Sequence, residues 1–375
     1  MRIGLIVAGG VDRSGRDRVL PELLDFIARM ARRHELHVFA LQYYPEPCRY
    51  DLLGATVHDL GRVDRPRGLR LWRLRHRLHR AIAQLGPFDV LHAYWGMPAG
   101  VTAIDVGRAL RVPVVVTLTT GELVGFDDIE YGLQRRARDR RAVDRLFSRA
   151  AQITVPTTYM QRLAGARSAR VAVLPMGLDR DRFAPNLPPD GPPWRLLRVA
   201  TINRVKDYPL LFAALARVLR AEPDTQLDVV GEDVLDGSMS ALARQLHVAA
   251  RVTFHGYQPM DCLPALYARA HLHVVSSRHE ASSVTTLEAS LAGVATVGTP
   301  VGHLADWASL DPPGALTVPP GDADALADAI IALLRDPARR QRLAATARSW
   351  ALAHDADQSA AAFDSLYARV AAEPR

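Results

Sequence analysis

Lysine is almost missing from this chain: of 47 basic residues, one, Lys206, is a lysine and all others are arginine. Cysteine is nearly missing too. Cys48 and Cys262 stand far apart, which excludes a disulfide framework or a cysteine-rich zinc cluster and suits a reducing cytosol. No run of roughly 18 apolar residues occurs, so no spanning helix is expected. The first ten residues read as a strand and a glycine loop, without the long apolar core of a signal peptide; a cytoplasmic location is expected. The net charge of +7 comes from arginine and reads as compositional bias, so no nucleic-acid partner is expected. Against that background the single lysine is informative, because a compact ammonium approaches a phosphate where a planar guanidinium does not fit.

What is present is a soluble-type composition, 49% hydrophobic over 375 residues, long enough for two domains. Periodicity predicts strands at 2–8 and 35–41 around a helix at 17–33, then a helix in the arginine-rich 62–85 stretch and a strand at 88–92. A helix at 97–111, strands at 112–118, 151–155 and 171–174, and helices at 135–147 and 157–163 follow. The proline-rich stretch 184–193 reads as a linker. Beyond it, strands at 196–201, 226–230 and 251–255 alternate with helices at 208–219, 237–246 and 262–270. Helices at 322–334, 338–353 and 358–371 close the chain. This alternation predicts an α/β protein of two doubly wound Rossmann-like domains facing across a cleft. Gly9 and Gly10 follow the first strand, but the loop lacks the G-x-G-x-x-G order and Gln42 and Tyr43 follow the second strand, so a nicotinamide cofactor is not expected. Asp322-Ala-Asp324 and Asp355-Ala-Asp357 each precede a helical run and read as N-caps, not metal ligands.

Residues 277–302 carry the chemistry. A strand at 271–276 precedes them, Ser282 and Ser283 offer an N-cap for a helix at 284–292, Gly293 stops it, and a strand at 294–297 follows. Glu280 and Glu288 frame the helix start. From Ser283 to Glu288 the axial rise is roughly 7–8 Å, so phosphates lying on the free N–H groups would have a carboxylate on either side. The run Ser277, Arg278, Glu280, Leu287, Glu288, Ala289, Gly293 resembles the donor-site signature of the retaining, metal-independent glycosyltransferases of the GT-B fold, glycosyl transferases group one. Leu291 departs from it, where an alanine is usual. The turn from Pro175 to Asp179 with Phe183 resembles the end of that family's first domain.

The resemblance implies domains at 1–187 (acceptor side) and 188–355 (donor side), and a helix at 356–375 that packs back on the first. It implies that Glu280 faces the donor sugar and Glu288 the ribose, with Ser282, Ser283, Val284 and Gly231 around the donor. Lys206, and Arg204 two residues before it, would stabilise the leaving diphosphate; Thr201 stands where the family places its arginine. On the acceptor side Gly9, Gly10, Glu122 and His92 are the candidates, with Thr119 where the family has a histidine. The implied function is transfer of a sugar from a nucleoside-diphosphate-sugar to a glycan, lipid-linked or small-molecule acceptor, with no cofactor and no metal. The alternatives are a same-fold nucleotide-sugar epimerase and a non-catalytic membrane-surface or scaffold protein. The basic helix within 62–85 reads either as a peripheral contact with an anionic membrane, at the inner face of the cell membrane, or as a solvated face over a core-facing stripe.

Overall fold

The computed structural model describes residues 1–63, 68–185 and 188–373. The chain divides into two compact units, Met1–Asp179 with His354–Arg375, and Arg180–Ala353. The division precedes the proline-rich stretch at which the sequence reading set its boundary; residue 187 of that boundary, and Arg65 and Arg67 of the arginine-rich run, lie outside the described residues.

In the first unit the order is β1 (Arg2–Val7), α1 (Pro21–Ala31), β2 (Glu35–Ala40), β3 (Cys48–Leu52), β4 (Ala55–Asp59), α2 (Leu69–Leu85), β5 (Val90–Tyr94), α3 (Val101–Leu110), β6 (Val114–Thr117), α4 (Ala137–Arg149), β7 (Gln152–Val155), α5 (Thr158–Leu163) and β8 (Val171–Val173). Among the described residues these strands form one sheet in the order β3-β4-β2-β1-β5-β6-β7-β8. Every pairing is parallel except β3 with β4. The inner strands are buried along nearly their whole length, which is why they read as continuous apolar runs. Helix α1 starts later than the periodicity alone predicts because Pro21 occupies its first turn, where a missing N–H costs nothing. Helix α3 also starts late: Met97 has extended backbone and breaks the segment ahead of it. The β3–β4 hairpin was not foreseen.

In the second unit the order is β9 (Trp194–Val199), α6 (Tyr208–Ala221), β10 (Thr225–Val230), α7 (Ser238–Gln245), β11 (Val252–Phe254), α8 (Leu263–Tyr267), β12 (Leu272–Val275), α9 (Val284–Leu291), β13 (Ala295–Gly298), α10 (Gly302–Trp307), β14 (Leu316–Thr317), α11 (Ala323–Arg335) and α12 (Pro337–Ala353). The sheet runs β11-β10-β9-β12-β13-β14, all parallel. Its core joins Leu196, Leu227, Val274 and Val297 on the strands to Leu211, Leu215, Leu326 and Ile330 on α6 and α11. Asp322 accepts from the Ala325 N–H at 2.8 Å, the cap that the sequence predicts.

The last helix, α13 (Ala356–Ala372), belongs to the first unit. Asp355 caps it, accepting from the N–H groups of Asp357 and Gln358 at 3.0 and 2.9 Å. Phe363 meets Phe26 of α1 edge-on at 5.2 Å and stacks on His92 of β5 at 5.2 Å.

Candidate active site

In the second sheet the chain order reverses at β9, which has β10 on one side and β12 on the other. Loops at the carboxyl ends of strands part at such a switch point, and ligands of open α/β sheets bind there. The turn after β9 carries Lys206 and the loop after β12 carries Glu280. Hydrogen bonds sew the two together: Ser276 Oγ donates to the Lys206 carbonyl at 2.7 Å, and the Arg278 N–H to the Val205 carbonyl at 2.8 Å. Asn203 Oδ1 accepts from the Lys206 N–H at 3.3 Å, and Asp207 caps α6.

Lys206 Nζ donates to both carboxylate oxygens of Glu280 at 2.7 Å. Ser277 Oγ donates to Glu280 Oε1 at 2.7 Å. Behind them lies Arg198 of β9, fully buried, which donates through Nη2 to Ser277 Oγ at 2.6 Å and stands 3.6 Å from Glu280 Oε1. Burial alone would raise the Glu280 pKa. The charges of Lys206 and Arg198 and the hydrogen bonds from Lys206 and Ser277 outweigh it and bring it down to about 2. The cluster therefore holds two cations against one carboxylate, a net positive charge in a protected place. That is what a diphosphate needs.

The residues predicted for the donor side all lie in the second unit, with one change of detail. Ser283 precedes α9 but its backbone is left-handed (φ 67°), and its side chain makes no cap; the hydroxyl lies 2.8 Å from Thr286 Oγ1. The serine cap expected from sequence is thus absent at this helix. The Ser282 carbonyl accepts from the His303 N–H at 3.0 Å, and Val284 opens the helix. Glu288 is buried, and the Tyr267 hydroxyl donates to its Oε2 at 2.9 Å. Gly231 ends β10 with φ 148°, and a Cβ there would stand 2.0 Å from the Ala200 carbonyl, so the close approach to the end of β9 requires glycine. Arg204 is exposed on the same turn as Lys206.

On the first unit the picture differs. Gly9 and Gly10 do follow β1, and Gly10 has φ 80°. Glu122 is buried, and its carboxylate is used by the backbone: Oε1 accepts from the Gly96 N–H at 2.9 Å and Oε2 from the Thr120 N–H at 2.8 Å. His92 is fully buried. The Tyr367 hydroxyl of α13 meets its Nδ1 at 2.5 Å, and Thr117 Oγ1 its Nε2 at 2.6 Å. Burial pulls its pKa down to about 3. Both side chains are thus hydrogen-bonded within the first unit.

Arg198 was missed. Its strand, Trp194–Val199, reads as a core strand, and the family pattern points to Thr201 as the arginine position instead. A charge inside a strand covered on both faces was the available signal, because such a charge needs a partner.

A family model described as Glycosyl transferases group 1 matches residues 179–350, and one described as Glycosyl transferase 4-like domain matches 21–177. The chain is 29% identical over 351 residues to a GDP-mannose-dependent alpha-(1-6)-phosphatidylinositol monomannoside mannosyltransferase of Mycolicibacterium smegmatis, covering 87% of this chain and 88% of that one. It is 30% identical over 317 residues to a D-inositol 3-phosphate glycosyltransferase of Xylanimonas cellulosilytica, covering 79% and 75%. The solved sucrose-phosphate synthase of Thermosynechococcus elongatus shares the fold, with a TM-score of 0.80 over 99% of both chains at 21% identity.

Proposed function

Since the chain belongs to the group 1 glycosyltransferases of the GT-B fold, enzymes using nucleotide-sugar donors, we propose that it transfers a hexosyl group with retention, without a metal, to a lipid-linked acceptor. The observation that carries the donor half is the Lys206–Glu280 pair at the switch point of the second sheet, with Arg198 behind it. The donor diphosphate takes the ammonium of Lys206, Arg204 approaches from the same turn, and the start of α9 adds its N–H groups. Glu280 then faces the sugar and Glu288 the ribose hydroxyls. The bond from the sugar to the phosphate breaks, the acceptor oxygen bonds on the same face, and its proton passes to the departing phosphate oxygen. The protein supplies position and charge compensation.

A thermal-shift screen with UDP, GDP, ADP, TDP and CDP tests this. The name of the mannosyltransferase relative puts GDP first in the order of trial. At 100 times Kd a ligand stabilises by about 2.7 kcal/mol, and the expected rise in Tm is of the order of 5–10 °C. The same rise with EDTA present supports the metal-free reading; a rise that EDTA abolishes, or none with any nucleotide, overturns it.

The lipid half rests on α2. Its inner stripe of Leu74, Leu78 and Ile82 is buried, while Leu69 is 63% and Trp72 51% exposed. The helix carries five arginines and no acid. Arg75 pairs with Asp105 at 3.2 Å and Arg77 donates to the Leu60 carbonyl at 3.1 Å, whereas Arg73 and Arg80 have no ion pair among the described residues. An apolar edge rimmed by guanidinium groups suits an anionic bilayer surface. No described helix is long and apolar enough to cross a membrane. Sedimentation with vesicles containing an anionic phospholipid is expected to capture the protein, and Trp72→Ala with Arg73→Glu to weaken capture by about tenfold. Equal capture by neutral vesicles, or none by anionic ones, removes this assignment.

A further inference from the structure

Arg198 has no place in the transfer step itself, since its side chain is sealed from any donor. Its residue is 0% exposed, inside a parallel sheet where an apolar side chain would fit. Nη1 reaches the Val274 carbonyl at 3.4 Å, the Tyr208 hydroxyl is a further hydrogen-bonding neighbour of the guanidinium, and Nε has no hydrogen-bond partner among the described residues. Burying a guanidinium so poorly satisfied is costly, and replacing a buried ion by a well-packed hydrophobe is often neutral or stabilising. Fold stability is therefore a weak reason for Arg198. Its short, 2.6 Å hydrogen bond runs to Ser277 Oγ, and Ser277 in turn donates to Glu280 at 2.7 Å.

We propose that Arg198 is a positioning residue that holds the Glu280 carboxylate, through Ser277, whenever Lys206 leaves it for the donor diphosphate. The inference rests on the donor reading above. As the site stands, Lys206 spends its ammonium on both oxygens of Glu280. A phosphate competes for that ammonium. Without a second cation the exchange would strand a bare carboxylate in a closed place, and that cost would be subtracted from donor affinity. With Arg198 and Ser277 in place, Glu280 stays ionised and keeps its orientation while Lys206 turns outward. The chain lacks an arginine at Thr201, and Arg198 supplies a guanidinium to the same cluster from inside the strand.

The groups that face Glu280 are few. Lys206 comes from the turn after β9, Arg198 from β9, and Ser277 from its own loop. Tyr208 of α6 and His273 of β12 lie within electrostatic reach. A Cβ on Gly302, at the start of α10, would stand 3.3 Å from that of Glu280. Burial and the charge of Arg198 pull the His273 pKa down to about 3, so His273 stays neutral in the pH range of the test.

Removing Arg198 then has a signature that a structural role lacks. In Arg198→Met, donor binding must either strand the Glu280 carboxylate or protonate it, so affinity becomes dependent on acid. The probe is whichever of the five nucleotides of the thermal-shift screen the wild-type protein binds, followed by calorimetry. Relative to wild type, Arg198→Met is expected to bind about 30-fold more weakly at about pH 8 and within about threefold at about pH 5.5. Adding Glu280→Gln removes the carboxylate, so the double variant is expected within about threefold of Glu280→Gln alone at both pH values. Ser277→Ala breaks only the relay and is expected to give the same pattern with smaller amplitude; it keeps the question open to test if Arg198→Met does not fold.

A uniform loss at both pH values, unrelieved by Glu280→Gln, would mean that Arg198 merely supports the strand, and the positioning role falls. Wild-type affinity in Arg198→Met and Ser277→Ala at both pH values overturns it equally, with the donor reading intact. If the wild-type protein binds none of the five nucleotides, the donor reading fails first and the role of Arg198 with it.

Discussion

Lys206→Ala is expected to lower turnover by about 10²–10³-fold, the usual loss when one preorganised group that stabilises transition-state charge is removed. No other lysine exists to take its place, and Arg198 is sealed behind the carboxylate. The same change has a second, acid-limb effect. Glu280 in the folded protein has its pKa lowered to about 2 from 4.5, so it contributes stability that is fully present above about pH 4.5 and is lost as pH falls toward 2. Lys206 is the larger of its two charged partners. In Lys206→Ala the Glu280 pKa rises, the stabilisation shrinks, and unfolding in acid begins at higher pH. Arg198 and Ser277 remain, so the variant still folds at neutral pH. A series of Tm values between about pH 3 and pH 7, beside donor-saturated turnover, reads both effects. Turnover near that of wild type would remove Lys206 from the transfer step.

Glu288→Ala is expected to reduce kcat/KM by about 10²-fold, mostly through KM, because a carboxylate accepting from ribose hydroxyls contributes about 1.5–3 kcal/mol per charge-assisted bond. Tyr267 does not lose all its partners in this variant: its hydroxyl also lies 3.0 Å from the Thr285 carbonyl, so the buried phenol keeps an acceptor. The fold therefore survives, with a modest cavity penalty. A donor lacking the ribose hydroxyls separates this role from a general loosening of α9. Wild type should discriminate strongly against such a donor, and Glu288→Ala should not. Unchanged discrimination in the variant would sink the ribose assignment.

The parts of this protein that were legible in its sequence are those where one physical requirement dominates. Strands covered on both faces must be apolar, so β1, β6 and β12 stood out, and Asp322 and Asp355 announced their helices by occupying caps. The β3–β4 hairpin was illegible because Cys48–Leu52 is mostly half-exposed or exposed and carries no clean alternation. Helix α10 and strand β14 are too short for periodicity to register. At the site, Glu280 and Lys206 were visible because their spacing follows a pattern and because a lone lysine draws attention. The state of the serine at the start of α9 depends on a left-handed backbone angle that its neighbours impose. The partners of Glu122 and His92 were illegible because a polar residue near a strand end looks the same whether it faces a ligand or closes a hydrogen-bond chain inside the unit. For His92 those partners are Thr117, itself bonded to Thr154, and Tyr367, which come from distant parts of the chain.

The return of α13 to the first unit has a consequence for how the chain is made. Residues 354–375 leave the ribosome only after the whole of the second unit, yet Phe363 and Tyr367 cover Phe26 and His92, which were synthesised long before. Until then the first unit holds an apolar face open beside α1 and β5. The nascent first unit is thus a client for chaperones during translation, while the second, continuous in sequence, can fold as it emerges. Ribosomes stalled within 180–353 should accordingly display a first unit that proteases still cut.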